Sequence, residues 1–121
     1  MAAGSFEELE VRKRGCRVAV EGFELLKDCR RFGLRDQMKR AALSVPSNIA
    51  EGSERPPKDF AKFLGSTLGS TAELRTQLDI ADRVGVISTD ARVRLCDELS
   101  QIARMSNALR ATLSAQPPRH R

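Results

Sequence analysis

The 121-residue chain has no tryptophan and no tyrosine, a single histidine, three cysteines and five phenylalanines. A core without indole or phenol rings has to be built from Leu, Val, Ile and Ala, which suits helix packing better than an aromatic-rich sheet. The only histidine, His120, falls in the terminal stretch "PPRHR". A Ser-His-Asp triad or a Glu-x-x-His di-iron site therefore has no imidazole in the region expected to fold. Cys16, Cys29 and Cys96 are odd in number and far apart, without the paired spacing of a zinc site, and they read as small apolar core residues. No metal, no cofactor and no catalytic residue is expected. No apolar run approaches the roughly 20 residues a membrane span needs. The opening "MAAGSFEELE" is acidic, where a signal peptide is basic and then apolar. A cytoplasmic protein with no membrane partner is expected.

What the chain does have is positive charge, unevenly placed. Of the net +5, residues 12 to 40 carry ten Arg or Lys against four Asp or Glu, a local +6. The cations are Arg12, Lys13, Arg14, Arg17, Lys27, Arg30, Arg31, Arg35, Lys39 and Arg40, and together they form the candidate nucleic-acid-binding surface. The competing reading is a solvated helix face softened by Glu21, Glu24 and Asp28. No aromatic interleaving is read among these cations, so binding is expected to follow shape more than base identity.

Apolar spacing predicts four helices. Residues 6 to 31 hold two seams, Leu9, Cys16, Val20 and Phe23 on one, Val11, Val18, Leu25, Cys29 and Phe32 on the other. An offset of two positions places them about 200° apart around a helix, so the second seam asks for another subunit unless helix 1 is sandwiched between two neighbours of its own chain. Gly33 marks the expected break. Helix 2 is read over 34 to 52, with Leu34, Met38, Ala41, Val45 and Ile49 on one stripe. Helix 3 is read over 57 to 84, where Gly65 and Gly69 are expected to form a packing notch. "STD" at 88 to 90 supplies a cap for helix 4, whose stripe is Leu95, Leu99, Ile102, Ser106, Leu109 and Leu113. The expected fold is all-α, an antiparallel up-down-up-down four-helix bundle over 1–115 with a disordered basic tail at 116–121.

Pro46 lies inside helix 2, where it removes a hydrogen bond to the Ala42 carbonyl and predicts a kink. Ser44, Ser47 and Asn48 are candidates to satisfy the backbone there or to bond to another helix. Arg40, Ser44, Asn48, Glu51 and Arg55 follow at spacings of four, four, three and four. They form a polar seam that fixes subunit register, faces a channel or lies within the chain's own core; Glu51 and Arg55 are placed for an ion pair. Glu51, Glu73, Asp79 and Asp82 are available carboxylates, but without a partner base they read as surface or interhelical groups.

The stretches "LRDQMKRAALSVPSNIAEGSER" and "DFAKFLGSTLGSTAELRTQLDIADRVGVI" resemble the signature of the small four-helix-bundle proteins encoded in intervening sequences of bacterial large-subunit ribosomal RNA. That family is related to the accessory variability proteins of diversity-generating retroelements. The resemblance runs from residue 6 to about residue 113 and is carried by Pro46, Asn48, Ala50, Glu51, Gly52 and Arg55 with the pair Gly69-Ser70. It departs at Arg12, near which family members usually carry an aromatic. It implies a ring of five subunits with a central channel and no established catalytic activity; the retroelement relatives bind nucleic acid and a reverse transcriptase through a basic surface. The expectation is a noncatalytic homo-oligomer, a homopentamer by resemblance, that binds RNA or DNA, with structured RNA foremost. The alternative is a scaffold whose partner is another protein.

Overall fold

Residues 5–115 are described by a computed structural model containing four helices: α1 (Ser5–Leu26), α2 (Phe32–Ser53), α3 (Pro57–Arg83) and α4 (Thr89–Ser114). The expected tail at 116–121 lies outside the described residues. Each helix packs on the next, and α4 closes the set against α1. Residue pairs fix every neighbour as antiparallel. Gly15 and Gly22 of α1 face Pro46 and Ala42 of α2, and Ser44 of α2 meets Ser70 of α3 while Gly52 meets Phe60 and Phe63. Arg75 and Asp82 of α3 meet Ser100 and Arg92 of α4, and Arg14 and Glu21 of α1 meet Glu98 and Arg94 of α4. This is the up-down-up-down bundle that short connections predict.

The core is the meeting of one stripe from each helix. All six residues of the α4 stripe are buried, as are Met38, Ala41, Val45 and Ile49 of α2, while Leu34 packs at the edge. Phe60, Leu64, Leu74, Leu78 and Ala81 supply α3. The void lined by residues including Val18, Leu26, Met38, Leu78 and Leu95 is only about 10 Å³, room for one water at most, so the core is closely packed. Helix ends follow local chemistry: the Ser88 side chain accepts from the Ala91 N–H at 3.1 Å, and Gly85 takes a positive φ of 79° as α3 terminates.

Several expectations are corrected. Helix 1 ends at Leu26, not at residue 31, and the break is Lys27–Arg31; Gly33 lies in the first turn of α2. Of that connection only Cys29 is even half-buried, so little packing holds it helical while the chain reverses. The cysteines are not buried core residues: Cys16 is exposed, Cys29 and Cys96 partly so. Helix 1 has α2 and α4 as neighbours in its own chain, but they do not bury both seams: the second turns inward through Val11 and Val18, whereas Leu9, Phe23 and Val20 of the first, the last 64% exposed, face outward. The notch at Gly65 and Gly69 receives no backbone of this chain, since Gly69 has open space where a β-carbon would sit and Gly65 meets only the Arg110 guanidinium at 3.1 Å.

Candidate functional site

The ten candidate cations do not share one surface. On α1, Arg14 is engaged by α4: its Nε donates to Glu98 at 2.7 Å and its Nη2 at 2.9 Å, with Nη1 3.4 Å from the Met105 sulfur. This forked bond holds the guanidinium more firmly protonated than usual. Seven residues on, the polarity reverses, and Arg94 of α4 donates to Glu21 at 2.7 Å. Arg17 is exposed in the groove between these helices, with Glu10 and Asp97 also lining it. Lys13 faces outward. Arg12 lies at the α2 side beside Glu8, Ile49 and Ser53, where partial burial pushes the Glu8 carboxyl up and Arg12 pulls it back. These four positions alternate with acids around the helix, so α1 offers no uninterrupted basic stripe.

The remaining cations gather where α1 turns into α2. Lys27, Arg30 and Arg31 are exposed, Arg35 and Lys39 half-buried, and Arg40 exposed on the outer side of α2. Of these, Lys27 pairs loosely with Glu24 at 3.6 Å and Arg35 with Asp36 at 3.0 Å. The first turn of α2 has no acidic residue, and Arg31 at its N-cap makes no side-chain capping bond. Arg31 and Arg35, at the N-terminus of α2, oppose its macrodipole, whereas Lys27, just past the end of α1, complements that of α1; helix stability therefore does not explain Arg31 and Arg35.

Two aromatics that sequence spacing does not mark as interleaving residues lie among these cations. Phe32 has the Arg35 guanidinium 4.7 Å from its ring centre, and Phe23 has the Lys39 ammonium at 5.2 Å. Both phenylalanines fit the apolar seams read along helix 1, one on each, and both are exposed in the chain. Spacing alone does not distinguish an inward seam from an outward one; the aromatic within a run of cations, "CRRFGLR", is the available signal.

The polar seam lies at the junction of α2 and α3. Arg40, Glu51 and Arg55 are exposed, Ser44 and Asn48 half-buried. Ser44 Oγ bonds the Ala41 carbonyl at 3.2 Å and the Ser70 hydroxyl of α3. Asn48 Nδ2 donates to the Ser44 carbonyl at 2.8 Å, and Thr67 Oγ1 donates to the Val45 carbonyl at 3.3 Å. The carbonyls just before Pro46 thus receive side-chain donors from two helices, Thr67 being the one sequence spacing does not indicate; Ser47 is exposed. Arg55 pairs with Glu51 at 3.1 Å and lies over Phe63 at 5.2 Å.

The other carboxylates are engaged as well. Asp82 accepts from Arg92 Nε at 2.7 Å and from Thr89 at 2.9 Å, bonds that hold its carboxyl below the usual range. Asp79 pairs with Arg83 and Glu73 accepts from Gln77. Among the described residues no group of His, Cys, Asp and Glu side chains could hold a metal, and no helix is long and apolar enough to cross a membrane.

No curated protein matches the sequence. A solved structure of a protein of unknown function from the S23 ribosomal protein family of Bacteroides thetaiotaomicron is similar to this chain with a TM-score of 0.77. The two are 18% identical, with 90% of this chain and 98% of that one covered, a likeness that bears on the fold. The model of the 23S rRNA-intervening sequence proteins matches residues 7–108, a span that enters all four helices, and the chain belongs to that family.

Proposed function

We propose that this protein is a noncatalytic, cytoplasmic homo-oligomer that binds structured RNA by its phosphate backbone, through the basic end of the bundle at the α1–α2 turn. The observation that carries the reading is the gathering of Lys27, Arg30, Arg31 and Arg35 at one largely exposed turn, where Arg31 and Arg35 also oppose the α2 macrodipole. Self-association is supported by the outer seam of α1, whose Leu9, Cys16, Val20 and Phe23 are left uncovered by the chain's own helices. A ring of five is the form the family resemblance implies. Assembly would repeat the basic end once per subunit, and phosphate neutralisation would add with each repeat.

The test is a fluorescence-anisotropy titration of a structured RNA at several salt concentrations, with the parent and the Arg30→Ala/Arg31→Ala variant. The reading expects affinity to fall steeply with salt, and the variant to bind more weakly, with a salt slope smaller by about one for each phosphate it no longer neutralises. Absence of binding at low salt would refute it. The α1 seam also favours a second reading, a scaffold that docks another protein there. Its affinity would depend little on salt, because the contact is apolar.

A further inference from the structure

We infer that the α1–α2 edge is a stacking site for unpaired nucleotides, with Phe32 as the platform. The inference rests on the nucleic-acid reading above and narrows it to single-stranded or looped segments.

Phe32 opens α2 and remains 58% exposed. Arg35 lies over the ring at 4.7 Å from its centre, so one face carries a planar cation while the side chain stays largely open to solvent. Arg30 and Arg31 stand exposed immediately before Phe32. The combination of an exposed aromatic ring, a guanidinium beside it and flanking cations for phosphate is what unpaired bases bind. Paired bases keep their faces inside the duplex, so a duplex can use the cations but not the ring.

Because the chain has no Trp and no Tyr, Phe32→Trp installs a sole indole at the proposed platform. The experiment compares a single-stranded oligouridine with a blunt RNA duplex of equal length, using the parent, Phe32→Trp, Phe32→Leu and Phe32→Ala, with masses fixed by light scattering. The expected result is that oligouridine quenches the Trp emission and that the duplex leaves it nearly unchanged. Phe32→Ala and Phe32→Leu should both weaken oligouridine binding by about 5- to 150-fold, the change that corresponds to 1–3 kcal/mol for one stacked base. Duplex binding should change by less than about twofold.

Equal oligouridine affinity in the parent and Phe32→Leu would overturn stacking while salt-dependent duplex binding kept the broader reading intact. A parent that bound neither polymer would overturn both. A change of oligomer mass in Phe32→Ala, with binding per subunit unaltered, would assign Phe32 to a contact between copies and overturn the site.

Discussion

Gly15 of α1 lies directly against Pro46 of α2, such that a β-carbon at Gly15 would sit 3.4 Å from the proline nitrogen, Cα and Cβ. The proline that sequence reading marks as a strained point is thus met by the smallest residue on the facing helix. Val11 and Val18, both buried, flank the contact on α1. Gly15→Ala should range from neutral to stabilising by up to about 1 kcal/mol, since contact at that distance is ordinary and alanine has the higher helix preference. Gly15→Leu should cost about 1–3 kcal/mol by forcing the helices apart. Urea unfolding of both variants checks the pair; a Leu variant as stable as the parent would show that the helices do not need a small residue at this crossing.

Arg14 belongs by sequence to the candidate nucleic-acid cations, and the structure shows it bonded to Glu98 with both side chains 27% exposed. Arg14→Ala is expected to lower stability by about 1 kcal/mol, in the range for a well-oriented, partly exposed pair. A double-mutant cycle with Glu98→Ala should return most of that loss as coupling energy. RNA affinity of Arg14→Ala should stay within about twofold of the parent, in contrast to the Arg30→Ala/Arg31→Ala variant.

The Asp82 carboxyl, held below its ordinary range by Arg92 first and Thr89 second, predicts a pH dependence. A depressed value in the folded state means that the stabilisation is full above the unfolded value of about 3.9. It is lost as pH falls through the folded value. Glu8, pushed up by burial, acts in the opposite sense, its contribution being lost as pH rises. Thermal melts from pH 6 to pH 3 should therefore show a shallower acid-side decline for Asp82→Asn than for the parent, because the variant lacks the bonded carboxylate throughout. An identical decline would show that the α3–α4 ion pair contributes nothing.

Val20 is 64% exposed at the middle of the outer α1 seam, so its replacement leaves the chain's own core untouched. Val20→Glu should retain the helical signal of the parent and lower its oligomer mass, read by light scattering. Retention of the full assembly would place the contact between copies elsewhere.

Much of this fold is legible in the sequence because it is local. The α4 stripe from Leu95 to Leu113 and the caps at Gly85 and Ser88 need only periodicity and backbone chemistry, and all are seen. What is not legible depends on which helix faces which. Gly52 shows it: a β-carbon there would lie 2.6 Å from the Phe63 β-carbon and 2.7 Å from the Phe60 ring, a close approach invisible until α2 and α3 are paired. Gly65 and Gly69, spaced like a packing motif, meet no facing backbone. The candidate site divides in the same way. Net charge locates the basic region, but only tertiary pairing separates Arg14, consumed by Glu98, from Arg30 and Arg31 at the open turn.

The most direct test of the central claim is sedimentation velocity of the parent protein with a fluorescently labelled structured RNA, at low and at high salt. The account predicts that the label travels with a protein oligomer at low salt and is released at high salt, while the oligomer persists. A monomeric protein, or an oligomer that sediments without the RNA at low salt, would contradict it.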